Sequence, residues 1–404
     1  MSVLAAGPGL HFRMFKFCLG VLVLLMSANG AMSQNDSLKS TRARDLGVPF
    51  DGTPGKFNAI TDVPGVEVGS TTIIRGEGPL KVGEGPVRTG VTVVLPRGSK
   101  DTHPTYAGWF SLNGNGEMTG TAWVEESGLL EGPIGITNTH SVGLVRDTII
   151  QWALRNQFVK EDEWSLPVVA ETWDGYLNDL NGFHVKPEHV FSALDSAKSG
   201  PVPEGNTGGG TGMICYGFKG GTGTSSRVLS ARDGGYTVGV LVQCNCGRRP
   251  QLTIAGVPVG KELPLPPQHA LSNMPGSDAR GDVGSIIIVV GTDAPLLPYQ
   301  LKRIARRASM GLARTGSVSG NSSGDIFIAF STANPNADDA PGPNKVETVS
   351  NEKITPLFDA TVEATEEAIV NAMVGASTMT GIDGHTVPAL PHEELQRLMK
   401  KYNR

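Results

Sequence analysis

The chain has 404 residues, 39% hydrophobic, 6% aromatic and 18% charged, with a net charge of −5. That is too apolar for disorder and long enough for one large core or two domains. The absence of a basic block argues against a nucleic-acid partner.

In chain order, residues 1–33 read as an export signal. Arg13 and Lys16 supply the positive region, Phe17 to Met26 an apolar stretch too short for an ordinary membrane span, and Ala31-Met-Ser33 a cleavage site. An uncleaved membrane anchor is the alternative. The expectation is a soluble periplasmic or secreted protein, with residues 34–404 as one catalytic domain and no membrane association after signal removal. Residues 34–47 are polar and expected to be mobile. Asn58 to Gly69 reads as strand, Pro-Gly turn, strand, and Arg88 to Leu95 as a further strand. Gly108 to Gly120 is a glycine-rich run holding Asn113, Asn115 and Glu117. Ile134 to His140 reads as a strand entering a loop, Val142 to Phe158 as a helix, Val168 to Trp173 as a strand, and Val185 to Ala197 as holding a short helix. Gly205 to Gly212 is a glycine run continued by a strand at Met213 to Phe218. Strands follow at Tyr236–Gln243 and Ser285–Gly291, separated by a surface loop over 261–284. Leu296 to Thr315 and Ile354 to Met373 are long helices, and Lys302, Arg303, Arg306 and Arg307 form the outer face of the first. Strands dominate the middle, an α/β or α+β pattern consistent with sheets sandwiched between helices.

Once Cys18 is removed with the signal, Cys215, Cys244 and Cys246 remain. An odd count in an exported protein leaves one thiol or three unpaired. Cys244-Asn-Cys246 is not a metal-ligand spacing, and apolar surroundings make buried thiols the default reading. No cofactor motif is evident, since Gly208-Gly-Gly-Thr-Gly212 does not match a dinucleotide fingerprint. Metal-independent chemistry is expected.

The segment Gly316 to Phe330 passes from a Gly/Ser/Asn turn into a short apolar strand, with Ser323-Gly-Asp325 at the junction. On local composition it is either a loop feeding a strand or a serine nucleophile at a strand start. Asn58-Ala-Ile-Thr-Asp-Val-Pro-Gly65, Gly85-Pro-Val-Arg-Thr-Gly-Val-Thr92, Thr137-Asn-Thr-His-Ser-Val-Gly143, Gly208-Gly-Gly-Thr-Gly-Met213, Gly217-Phe-Lys-Gly-Gly-Thr-Gly-Thr224, Gly256-Val-Pro-Val-Gly260 and Ser323 to Asn334 follow one another in that order. Together they closely resemble the D-aminopeptidase/β-aminopeptidase family, serine peptidases typified by L-aminopeptidase D-amidase/D-esterase, from about residue 43 to 385.

The resemblance implies a four-layer αββα sandwich like that of N-terminal-nucleophile hydrolases, with different strand connectivity. It implies a precursor that cuts itself once, here between Ser322 and Ser323, giving an α chain 34–322 and a β chain 323–404. Ser323 is then the nucleophile and its own α-amino group the base, since an α-amino pKa near 7.7–8.0 suits that task. Asp325 either orients that amino group or caps the turn. By resemblance, Asn245 and the Tyr216 hydroxyl stabilise the oxyanion. The hydroxyl-x-Glu pair downstream of the nucleophile is met by Thr365-Glu-Glu367, or by Thr361-Val-Glu363. Residues two apart on a regular helix do not share a face, so either pair would need a helix end or a distortion. Glu117 is the candidate for holding a substrate's amino end, with Trp173 and Trp123 as pocket walls or core. The implied substrate is a small peptide, amide or ester, and the implied state a homo-oligomer of αβ units. The alternatives are an acyltransferase like the ornithine acetyltransferases, which use Thr as nucleophile, and an uncleaved binding relative.

Overall fold

The computed structural model describes residues 41–263, 284–336 and 343–404. The expected signal, Cys18, most of the expected loop at 261–284 and part of the polar loop at 334–345 lie outside the described residues. Residues 41–47, expected to be mobile, are held instead. Arg42 pairs with the buried Glu204 at 2.8 Å, and Ala43, fully buried, donates its N–H to Asn371.

Two sheets carry the fold. The first runs β1 (Glu67–Arg75), β2 (Val87–Leu95), β5 (Ile134–Asn138), β6 (Val168–Thr172). The second runs β4 (Leu129–Leu130), β3 (Thr105–Ser111), β12 (Asp325–Ser331), β11 (Ser285–Thr292), β10 (Thr237–Asn245), β9 (Gly221–Val228). Pairing is antiparallel except for β5 with β6 and β11 with β12. Each of those parallel pairs is bridged by a helix, as a parallel connection requires: α2 (Val142–Arg155) for the first and α5 (Pro298–Arg314) for the second. Short α1 (Thr121–Ser127) and α4 (Val259–Glu262), then α3 (Pro187–Asp195), α6 (Thr355–Val374) and α7 (His392–Lys401), are the other α-helices among the described residues. The short ladders β7 (Ile214–Cys215) with β8 (Phe218–Lys219) and β13 (Met379–Thr380) with β14 (Thr386–Val387) sit apart from both sheets.

The apolar residues sort into three layers by the two-residue alternation of the strands. Ile134, Ile136, Val168 and Ala170 of the first sheet meet Leu241, Ile287, Val289, Ile326 and Ile328 of the second. On the outer face of the first sheet, Val91, Val93 and Val169 pack under Val145, Ile149 and Trp152 of α2 and Val190 and Leu194 of α3. On the outer face of the second, Val240, Val242, Ile286, Ile288 and Phe327 pack under α5 and α6. This is the αββα sandwich.

Some elements depart from the sequence expectation. Asn58 to Gly69 opens with a single 3-10 turn, Ile60–Asp62, because the Asp62 carboxylate accepts the N–H groups of Phe57 and Ala59; the strand begins only at Glu67. Met213 to Phe218 is a hairpin, broken where Tyr216 takes a left-handed φ of 51°. Strand β9 carries Gly, Thr and Ser rather than alternating apolar residues. Its side chains bond inward instead, Thr224 to the Val240 carbonyl and Ser225 to the Ala364 carbonyl. Gly223 lets α6 lie directly on the strand, since a side chain there would strike the Ala368 carbonyl. Gly223→Val is therefore expected to cost about 2–3 kcal/mol or more through overpacking, read as a fall in the denaturant midpoint.

Candidate active site

The parallel pairing of β11 with β12 places two strand starts side by side. Ile286 faces Asp325 in the register, and the Ile286 N–H donates to the Asp325 carboxylate at 3.2 Å. The antiparallel neighbours bring their far ends to the same edge: Asn245, last residue of β10, is paired with Ser285, and Ser111, last residue of β3, with Ile326. The loop after β3 then folds across the turn that carries Ser323. Asn113 accepts the Asp325 N–H and donates to the carbonyls of Ser319 and Gly320, while Asn115 donates to the Ser322 carbonyl at 2.7 Å.

Ser323 is buried, and its Oγ donates to Asp325 Oδ1 at 2.6 Å. The residue between them, Gly324, donates its N–H to Ser285 Oγ at 3.1 Å. Ser285 is also buried and begins β11. By strand alternation it shares the inter-sheet face with Ile287 and Val289, and Asn245 shares that face with Leu241. Asp325, in step with Phe327, belongs to the helix-covered face. Gly284 lies so close to the end of β10 that a side chain there would strike the Asn245 carbonyl and Cys246. Asn245 accepts the Ile214 N–H through Oδ1 at 2.7 Å, leaving Nδ2 as its donating end.

The other expected residues fall in several places. The Tyr216 hydroxyl is buried and paired with Thr315 Oγ1 at 2.7 Å, just past the end of α5, within the helix-side core. Thr365 donates to the Thr361 carbonyl of its own helix and packs against Gly311 of α5. Glu367 is paired with Arg44 and Arg227, at 2.8 and 2.9 Å, and accepts from Asn58. Burial pushes its carboxyl up, but those partners hold it below its ordinary value. Glu363 likewise reaches Arg227. Among the described residues, no hydrogen bond joins Thr365, Glu367, Thr361 or Glu363 to either serine. The hydroxyl-x-acid pair that does reach the site is Ser323-Gly-Asp325 itself.

Glu117 is exposed, and its N–H donates to Glu171 Oε1. Glu171, which the sequence reading passed over, is a second buried acid here, besides Asp325. It is the penultimate residue of β6, and Thr139 donates to its other oxygen. Burial raises its carboxyl pKa against those hydrogen bonds. A side chain at Gly116 would lie 3.2 Å from both Glu171 Oε1 and Gly324 Cα, so the acid and the serine turn flank one glycine. The signal available was an acid at the end of an otherwise apolar strand run, Val168-Val-Ala-Glu171. Trp173 is half-buried against Tyr176, Leu177 and Ile214. Trp123 bonds Glu131 and stacks edge-on with Trp164, with no link to either serine among the described contacts.

The profile of peptidase family S58 matches residues 58–387. A beta-peptidyl aminopeptidase, BapA, of Sphingosinicella microcystinivorans is 56% identical over 402 residues, covering 98% of this chain and 99% of that protein. Among solved structures, the L-aminopeptidase D-Ala-esterase/amidase of Ochrobactrum anthropi, described as a variant of the Ntn-hydrolase fold, superposes with a TM-score of 0.82 at 49% identity, covering 90% of this chain and 99% of that one. A beta-aminopeptidase of a Burkholderia species gives a TM-score of 0.80 at 47% identity, covering 89% and 99%.

The surroundings of Glu367 predict a structural rather than a chemical role. Glu367→Gln leaves Arg227 buried and under-compensated, a loss of about 3–5 kcal/mol. It should lower the Tm by several degrees while the turnover of the folded fraction is kept, measured by thermal scanning beside active-site-normalised rates.

Proposed function

The chain belongs to peptidase family S58, and from that premise we propose that it is a self-processing serine aminopeptidase whose nucleophile is Ser285, with Ser323 and Asp325 as its supporting pair. The observation that carries this is the hydrogen bond from Gly324 N–H to Ser285 Oγ, made by a turn that the Ser323–Asp325 bond closes. It supplies the hydroxyl-x-acid pair at the nucleophile, which the helical Thr365 and Glu367 do not. Ser285 also has Asn245 beside it on the inter-sheet face, whereas the Ser323 hydroxyl is turned to a carboxylate of the opposite face.

In the precursor, Ser285 Oγ attacks the Gly284 carbonyl. The C–N bond breaks as the ester forms, and water hydrolyses the ester. The freed α-amino group of Ser285 then acts as base for the same hydroxyl, whose attack on a substrate amide or ester gives an acyl-enzyme. Asn245 Nδ2 and the Gly324 N–H are the donors at hand for the oxyanion. Tyr216 is left to brace the hairpin against Thr315. Glu171 is the acid placed to receive a substrate's ammonium, with Glu117 outside it. A raised Glu171 pKa means its charge, and with it affinity for a cationic amino end, is lost earlier than usual as pH falls. The reading that keeps Ser323 as nucleophile rests on its short bond to Asp325, a carboxylate that could take its proton.

Mass spectrometry of the purified protein separates the two. The expected result is two fragments, the smaller beginning at Ser285, with Ser285→Ala left uncut. A fragment beginning at Ser323 would return the role to that residue, and an uncut wild-type chain would overturn self-processing. In the cut enzyme, Asn245→Ala should lower kcat by about 10²-fold or more with KM little changed. The kcat/KM profile should rise as pH passes about 7.7–8.0, where the α-amino base loses its proton.

A further inference from the structure

Cys215, Cys244 and Cys246 form a cluster that the chemistry above does not use. All three are buried, at 1% exposure or less. Cys215 Sγ lies 2.6 Å from Cys244 Sγ, and Cys246 Sγ lies 3.7 and 3.8 Å from the two. Their placement bears on Asn245. Cys215 follows Ile214, whose N–H fixes the Asn245 amide, and Cys244 immediately precedes Asn245. The two closest sulfurs therefore link the two backbones that make the bond orienting that side chain. Tyr216 N–H donates to the Cys246 carbonyl at 2.7 Å, so the hairpin is already laid along the end of β10 at this point.

Three thiolates could hold a soft cation. A tetrahedral zinc with bonds of about 2.3 Å sets its sulfurs about 3.8 Å apart. The two edges to Cys246 fit that spacing and the Cys215–Cys244 edge does not. That edge is instead the one that closes to a covalent bond of about 2.05 Å with a small shift of either side chain.

We propose that Cys215 and Cys244 are joined by a disulfide when the protein matures in an oxidising compartment, and that this bond holds Asn245 in its donating position. The second clause rests on the role given to Asn245 above; the first does not. Each thiol gives up its proton. The two sulfurs give two electrons to a small-molecule or protein disulfide, which leaves as two thiols. Because the cysteines are buried in the folded chain, the exchange takes place before the core closes over them. Burial also holds the Cys244 thiol well above its ordinary pKa, which leaves little thiolate for later exchange. Cys246 remains a thiol.

The test uses wild-type protein secreted into an oxidising compartment, denatured without reductant in iodoacetamide, digested and mapped by mass spectrometry. The expected result is one label, on Cys246, and one cross-linked peptide pair containing Cys215 and Cys244. Three labels overturn the proposal, as does a link that includes Cys246 or one zinc ion per chain with all three cysteines labelled after chelation. For the positioning clause, the Cys215→Ala/Cys244→Ala double variant should lose kcat several-fold at unchanged KM, and Cys246→Ala should not. Wild-type enzyme made in a reducing cytosol gives the same comparison should the double variant not fold. An unchanged kcat in the unlinked enzyme overturns the positioning clause. A loss of kcat in Asn245→Ala, measured beside it, separates that outcome from failure of the Asn245 assignment.

Discussion

Everything at the candidate site follows from one pairing, the parallel ladder of β11 on β12 at the centre of the larger sheet. Two parallel strands start at the same edge. A start is where backbone N–H groups and a first side chain stand outside the ladder, free to take other partners. Antiparallel neighbours must end where these begin, so Asn245 and the loop after Ser111 arrive at that edge without further design. Gly324 N–H, Ser285 Oγ, the Asp325 carboxylate and the Asn113 and Asn115 amides are then brought together by strand register rather than by long flexible side chains. That gives each of them little freedom to lose when a reaction needs it in place.

Seen from the sequence, the fold was legible wherever apolar spacing was strong. Helices α2, α3, α5 and α6 and strands β2, β5, β6, β10, β11 and β12 stand close to their expected positions, because packing between layers writes a period of two or of 3.6 into the residues. Strand β9 was not legible, because its interior side chains are Gly, Thr and Ser that satisfy carbonyls of α6 and β10 rather than fill space. Strand β3 was hidden by the glycine that lets α5 lie on it, Gly108, whose side chain would strike the backbone of Lys302. Helix α7 was missed at the C-terminus, where few apolar residues mark its face.

The site was legible as a neighbourhood and not as a set of roles. Ser323-Gly-Asp325, Asn245 and the Asn113–Glu117 loop were all singled out, and register brings all of them to one edge. What a linear reading could not supply was which of two serines faces the gap between the sheets. Ser285 was read only as the first residue of an apolar strand, and nothing local distinguishes it from any serine at a strand start. The helical acids illustrate the converse. Thr365 and Glu367 matched a spacing, but a helix turns residues two apart to different sides, and Arg227, itself buried, takes Glu367.

The same topology bears on how a chain cut before β11 would stay whole. Strand β11 lies between β10 and β12, and β12 in turn lies beside β3. A cut at Ser285 would therefore leave two pieces whose strands alternate across the sheet: β3 and β10 from one, β11 and β12 from the other. Each keeps its ladder bonds, and Ile287, Val289, Ile326 and Ile328 keep their burial against the first sheet. On the second piece, α6 covers β9 and β10 of the first, and α5 covers β3. The larger sheet mixes strands of both pieces and the helices of one piece lie on strands of the other, so such a cut would release an amino group without releasing a subunit. A hydrolytic step that would be destructive in a loop between independent domains would, at this junction, cost only the one bond whose loss the proposed mechanism uses.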